Sequence, residues 1–226
     1  MRSWRWAVAA LTLGLALSTA RPAAAVPITF ASRAAFDAAF PGASIENWDA
    51  YAAGTTFLNG STNNGITYTS STGDAVVENG FLFTTAPNGL GRTGQGQGQG
   101  VDFFSGTDAM TFGFAAPLFA FGIDINTFDT TAGGYTATTN TGEVINSVFN
   151  PFPGAGTGEF VGFSSTTPFT SVTIAAPGGF DYTLDTLRDV PATTAAVPEP
   201  ASLTLLGMGL SGVVAARRRR RSQSRV

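Results

Sequence analysis

Three aspartates close the long middle part of the sequence in the stretch "GFDYTLDTLRD". Because alternate residues of a β-strand share a face, Asp181, Thr183 and Asp185 lie on one side of the strand that this stretch predicts. Calcium takes about six to eight oxygen ligands, which carboxylates, carbonyls and water can supply. Asp181 and Asp185 therefore form a candidate calcium site, with an exposed polar face as the alternative. Leu187 breaks the alternation, which predicts a bulge near Asp185.

A second candidate site, for a saccharide ligand, lies in the stretch "SIENWDAY". An aromatic side chain beside acids is a common sugar-binding arrangement, and here Trp48 and Tyr51 stand next to Glu46 and Asp49. Trp48 and Tyr51 are therefore candidate ligand-binding residues. The alternative is that Trp48 fills the core beside Ile45, as buried aromatics ordinarily do.

The stretch "GIDINTFDTT" begins like a calcium-binding loop, with Asp124, Asn126 and Asp129. Phe128 stands where another ligand is needed, and the glycine and distal glutamate of such loops are missing. The pattern is more typical of the end of a strand, where Asn and Asp bond to nearby backbone groups.

Composition excludes several kinds of chemistry. The chain has no histidine, no cysteine and no lysine. It therefore lacks the residues of a Ser-His-Asp or Cys-His nucleophile, a usual zinc site and a Schiff base. Paired carboxylates remain, so a glycoside hydrolase is the weakest alternative to a protein that is not an enzyme.

The charge is distributed unevenly along the chain. Residues 26–198 hold three arginines and fourteen acids, a formal charge of −11, although the whole chain carries −3. So acidic a domain repels nucleic acid, which we exclude as a partner.

The middle of the chain predicts an all-β fold. Ser32 is a candidate N-cap for one short helix that ends at Pro41. After it, apolar and Thr-rich stretches alternate with Gly, Asn, Asp and Pro, which predicts about ten strands. We expect an antiparallel β-sandwich of jelly-roll or lectin-like type over residues 26–190, with a barrel as runner-up. Turns at Asn79-Gly80 and at residues 140–142 predict two hairpins.

The first twenty-five residues predict a secretory signal peptide. Arg2 and Arg5 precede an apolar run, and three alanines at 23–25 form a site for signal peptidase. Cleavage after Ala20 is an alternative that leads to the same destination. We expect a protein exported across the inner membrane.

The carboxyl end combines three features. Residues 191–197 predict an extended linker rich in Ala, Thr and Pro. The four residues at its end are Val197, Pro198, Glu199 and Pro200. Residues 201–216 carry no charge and predict a transmembrane helix of about 24 Å, somewhat short of a hydrocarbon core. A basic cluster follows that would keep the end in the cytoplasm, formed by Arg217, Arg218, Arg219, Arg220 and Arg221.

This order of motif, apolar segment and arginine cluster over residues 198–226 resembles the PEP-CTERM sorting signal of Gram-negative bacteria. The resemblance implies processing by exosortase, a membrane-embedded enzyme, and an association with exopolysaccharide or biofilm. The strand pattern of the middle domain resembles the β-sandwich domains that such proteins often carry. A surface or extracellular-matrix protein, held only transiently by its carboxyl-terminal helix, is thus the main hypothesis. A carbohydrate-binding module, with or without bound calcium, is the alternative.

Overall fold

The computed structural model describes residues 26–79, 84–85, 87–94, 102–127, 134–150, 158–176 and 180–192. The predicted signal peptide, the sorting motif, the apolar segment after it and the arginine cluster lie outside these residues. In the described ranges, no helix is long and apolar enough to cross a membrane.

The described chain is mostly antiparallel β-sheet with one short helix, as the sequence predicts. Helix α1 spans Arg33–Ala39. The thirteen strands are β1 (Ile28–Thr29), β2 (Ser44–Glu46), β3 (Thr56–Phe57), β4 (Ser61–Asn63), β5 (Ile66–Ser70), β6 (Ala75–Glu78), β7 (Gly89–Arg92), β8 (Ala109–Thr127), β9 (Thr136–Thr139), β10 (Val144–Asn146), β11 (Val148–Phe149), β12 (Gly158–Ala175) and β13 (Tyr182–Pro191).

Helix α1 begins where the sequence predicts. The hydroxyl of Ser32 accepts a hydrogen bond from the Ala35 N–H at 3.2 Å, which satisfies one of the free donors of the first turn. At the other end, the Phe40 N–H donates to the Phe36 carbonyl at 2.9 Å. Phe36 is fully buried against the sheet.

Two long strands, β8 and β12, organise the fold. Their antiparallel ladder shifts register between Ser164 and Phe169 and again between Phe169 and Ser171. On one side of the shift β8 also pairs with β5, and on the other side it pairs with β13. A strand that bends in this way takes part in two packed layers, so the domain fits a sandwich-like arrangement. The jelly-roll or lectin-like topology stays a prediction.

The other strands extend these layers. Beyond β12 lie β9 and β10, while β13 is followed by β7, β6 and β3. Strands β1 and β11 both pair with β12, β2 pairs with β13, and β4 pairs with β5. The hairpin predicted at residues 140–142 is confirmed, because β9 and β10 pair on either side of it and Gly142 has a φ of 89°.

The hairpin predicted at Asn79-Gly80 involves residues 80–83, which lie outside the described residues. Strand β6 pairs with β3 on one edge and with β7 on the other. A tight two-residue turn occurs at Asn64-Gly65, between β4 and β5. Both residues have positive φ, 48° and 80°, as a type I′ turn requires.

The apolar residues bury into two clusters. The larger contains Trp48, Phe112, Phe121, Phe163 and Tyr182 among others. The smaller lies beneath α1 and centres on Phe36, Ala120 and Phe160. Gly162 makes room for it, since a Cβ there would lie 2.2 Å from Cε1 of Phe160. Each fully buried phenylalanine stabilises the fold by about 1.5–3 kcal/mol.

Candidate functional site

A cleft of about 330 Å³ opens among β2, the Asn64-Gly65 turn, the middle of β8 and the end of β13. We call it the edge cleft. Its walls include apolar residues of β8, with Phe114 half-buried and Ala115 and Ala116 exposed. The volume is at the lower end of the range for small-molecule sites, about 300–1,000 Å³.

Glu46 forms one polar part of the wall and is held from two sides. Its Oε1 accepts a hydrogen bond from the backbone N–H of Trp48 at 2.9 Å. Its Oε2 accepts from the side-chain amide of Asn64 at 3.0 Å. The left-handed turn at Asn64 thus positions an amide at the cleft, and the carboxylate is fixed before any ligand arrives.

Asp189 forms the second polar part of the wall. In the β2–β13 ladder Asp189 stands opposite Ser44, and Glu46 stands opposite Leu187. Glu46 and Asp189 therefore share a face at diagonal positions, about 7–8 Å apart. Burial raises the pKa of Asp189, and the hydrogen bond from the Ser44 side chain opposes this rise.

The residues that line the cleft suit a ligand ring that has both hydrogen-bonding groups and apolar C–H surface. Carboxylate oxygens accept hydrogen bonds from hydroxyl or ammonium groups, and an amide both donates and accepts. Exposed aliphatic and aromatic side chains cover C–H surface. A saccharide presents both kinds of surface in one molecule.

Neither of the two candidate sugar-binding residues lines this cleft. Trp48 is fully buried, stacks against Phe112 at 6.3 Å and donates from Nε1 to Tyr68 Oη at 3.1 Å. Its ring belongs to the core, which is the alternative that the sequence left open. Tyr51 is half-buried, with its hydroxyl donating to Asn63 Oδ1 at 3.0 Å. Burial, and secondarily the nearby Glu46, raises the pKa of Tyr51.

The two candidate calcium ligands are separated along β13. Four residues of strand span about 13 Å, so the carboxylates of Asp181 and Asp185 do not converge. Asp181 Oδ1 accepts from the Gly106 N–H at 3.1 Å. Asp185 accepts from the Thr85 N–H at 2.7 Å and the Thr186 N–H at 2.6 Å. Among the described residues, no group of three or more His, Cys, Asp or Glu side chains could hold a metal ion.

The predicted bulge near Asp185 is confirmed. The β13–β8 register shifts between Asp185 and Arg188, and Thr186 in between has a φ of 45°. A β-branched residue in the left-handed region is strained, and here the many bonds to Asp185 stabilise it.

A chain of charged residues, which the sequence did not predict, joins α1 to the sheet. Arg33 of α1 lies 2.9 Å from Asp124 Oδ2, and Arg188 lies 3.5 Å from the same oxygen. Arg188 Nε lies 2.6 Å from Asp37, one helical turn after Arg33. The sequence does contain one signal for this cluster: Arg33 and Asp37 are four residues apart, which puts both on one face of the helix. The cluster is structural, because it anchors the helix.

The described fold defines the general class: an antiparallel β domain with one short helix. The carboxyl-terminal sequence identifies the sorting signal, because residues 196–221 match the PEP-CTERM protein-sorting motif. The chain thus carries this signal, which implies an exported protein that is processed at a membrane by exosortase.

Comparisons with whole proteins add little. No curated protein matches the sequence. Among solved structures, the chain is similar to a variant of the catalytic domain of GH87 alpha-1,3-glucanase in complex with tetrasaccharides, with 14% identity and a TM-score of 0.35. That match covers 70% of this chain and 30% of the glucanase chain.

The chain is also similar to a mutant of a family 29 carbohydrate binding module complexed with mannohexaose. The identity is 11% and the TM-score 0.32, over 66% of this chain and 93% of the module. Both likenesses are too low to transfer a ligand to this chain.

Proposed function

We propose that the protein is a non-enzymatic component of the cell surface or extracellular matrix, and that its ectodomain binds polysaccharide through the edge cleft. The sorting signal at residues 196–221 supports delivery and processing. The sequence around Pro198 and Pro200 suits recognition by a processing enzyme, because a residue before proline is biased to an extended backbone. The mature protein then lacks the arginine cluster.

One observation carries the binding function: the edge cleft combines fixed acceptors with exposed apolar surface. Glu46 is already oriented by two donors, so little order has to be imposed when a ligand binds. Phe114, which is half-buried, and the exposed Ala115 and Ala116 supply the apolar surface.

Processing is tested by placing one epitope tag after Val226 and another in the ectodomain. We expect the carboxyl-terminal tag to be lost in wild-type cells and retained when exosortase is deleted. Replacing Glu199 with Ala should also cause retention. A terminal tag that stays attached in both strains would contradict the processing proposal.

Binding is tested with the processed protein purified from producing cells and with the polysaccharide of the same cells, in a sedimentation assay. Phe114→Ala should lower the affinity about tenfold, equivalent to about 1.4 kcal/mol. Phe149→Ala is the matched control, because Phe149 on β11 is a phenylalanine that is 44% exposed and lies outside the cleft. Equal binding by both variants and the native protein would rule out the cleft.

The non-enzymatic part of the proposal has its own readout. The same mixture is assayed for new reducing ends over time. We expect none, and their release in the native protein but not in Asp189→Asn would show a glycoside hydrolase instead.

A further inference from the structure

We propose that the edge cleft selects saccharides that carry free ammonium groups, as in de-N-acetylated amino sugars. This inference rests on the proposed function, because it names the class of saccharide that the same cleft takes. It follows from where the domain's few cations lie.

The cleft is lined by two ionisable side chains, Glu46 and Asp189, and both are acids. Residues 26–198 contain only three arginines and no lysine or histidine that could neutralise them. A counter-charge from within the domain would therefore have to come from one of these arginines.

All three arginines bind other carboxylates. Arg33 lies 2.9 Å from Asp124, and Arg92 lies 2.7 Å from Asp108. Arg188 lies 2.6 Å from Asp37. Although Arg188 is next to Asp189 in sequence, strand alternation directs the two side chains to opposite faces of β13. No arginine side chain of the domain is therefore left to balance the cleft, and a cation on the ligand would complement it.

Asp189 is the carboxylate with most to gain from such a cation. It is partly buried, and the Ser44 side chain, a neutral group, donates to it. An ammonium group placed there forms a charge-assisted hydrogen bond, which is roughly twice as strong as a neutral one. A neutral hydroxyl at the same place gains less.

The other walls favour a sugar over a bare metal ion. Glu46 already accepts one hydrogen bond at each oxygen, so it has lone pairs for a hydrogen-bond donor but no complete metal shell around it. Phe114, Ala115 and Ala116 present apolar surface that a metal ion would leave unused. The C–H surface of a sugar ring covers it.

The test compares three β-1,4-linked hexasaccharides by isothermal titration calorimetry with the processed protein. The probes are the glucosamine, N-acetylglucosamine and glucose hexamers, which share the linkage and differ at carbon 2. We expect the glucosamine hexamer to bind at least tenfold more tightly than the other two. Raising the salt concentration should reduce this difference.

Substitutions show which side chain produces the preference for the glucosamine hexamer. Asp189→Asn should reduce binding of the glucosamine hexamer about tenfold and leave the other two nearly unchanged. Glu143→Gln is the control, because it removes one negative charge outside the cleft. Thermal unfolding of each variant checks the fold.

The outcomes separate the two proposals. If the three hexamers bind with equal affinity, or if Asp189→Asn weakens all three alike, the ammonium selectivity is overturned and the saccharide cleft stands. If none of the hexamers and no native polysaccharide binds, the proposed function itself fails. If Glu143→Gln matches Asp189→Asn, the attraction belongs to the net charge of the domain, and the inference also fails.

Discussion

Asp124 and Asp185 stand directly opposite each other on the adjacent strands β8 and β13, and both side chains are fully buried. The fold stabilises the two carboxylates in different ways. Asp124 bonds to Arg33, while Asp185 accepts hydrogen bonds from Thr84 and Thr85. This acid pair thereby ties both α1 and residues 84–85 to the same face of the sheet.

Asp124 should make stability depend on pH. Burial raises its pKa from 3.8 to about 6, although Arg33 and Arg188 oppose the rise. Because the folded protein holds this proton more tightly than the unfolded chain does, its contribution favours folding at low pH and is lost as pH rises from about 4 to about 6. The free energy of unfolding of Asp124→Asn, relative to the native protein, should rise by about 3 kcal/mol between about pH 4 and pH 7.

Chemical denaturation at several pH values measures this difference. Asp108→Asn is the control, because the pKa of Asp108 is lowered rather than raised. Burial by itself would raise this pKa, but hydrogen bonds from Thr72, Ser105 and Arg92 outweigh it and hold the pKa below the ordinary value of 3.8. The stabilising contribution of Asp108 is present above about pH 4 and is lost at lower pH. The difference in free energy of unfolding between Asp108→Asn and the native protein should therefore stay flat between about pH 4 and pH 7. A flat profile for Asp124→Asn would contradict the assignment.

Gly91 on β7 should tolerate no side chain. A Cβ there would lie 2.0 Å from the backbone carbonyl oxygen of Asp102, which cannot rotate away. Gly91→Ala should lower the free energy of unfolding by about 1–3 kcal/mol or more. Gly42→Ala is the matched control, since a Cβ at Gly42 meets nothing within 4 Å, and its effect should stay within about 0.5 kcal/mol.

The Asn64-Gly65 turn should need its glycine for conformation rather than for space. Gly65 has a φ of 80° with open space around its Cα. Gly65→Ala should cost about 1 kcal/mol in the free energy of unfolding, and Gly65→Asn less, because Asn tolerates the left-handed region. Denaturant titration of both variants measures the order, and a harmless alanine would argue against the type I′ turn.

Trp48 should act in stability and not in saccharide binding. Trp48→Phe removes the hydrogen bond to Tyr68 and part of a fully buried ring, so we expect a loss of about 1–3 kcal/mol in stability. Combining it with Tyr68→Phe in a double-mutant cycle isolates the hydrogen bond. Unchanged affinity for polysaccharide is expected, and a selective loss of binding in a stable variant would restore the ring as a ligand platform.

Local signals in the sequence predicted local structure well. The Ser32 cap, the turn before Glu143 and the bulge after Asp185 each depend on a few neighbouring residues. The dipeptide Asn-Gly shows the limit of prediction from local sequence. At residues 64–65 it forms a tight hairpin, whereas the partner of the strand before Gly80 is β7, reached across a longer connection. Which strand pairs with the edge of another depends on the order of all the strands in the sheet.

The sequence by itself determined the class of protein: the sorting signal, the acidic β domain and the absence of His, Cys and Lys are all written in residue types and their order. Only the tertiary structure decided which acids are neutralised. Each of the three arginines pairs with an acid far from it in sequence: Arg92 with Asp108, 16 residues away, Arg33 with Asp124, 91 residues away, and Arg188 with Asp37, 151 residues away. Long-range pairing fixed Trp48 in the core and left Glu46 and Asp189 together at the edge cleft. Such contacts arise from strand order and register, which no local pattern encodes.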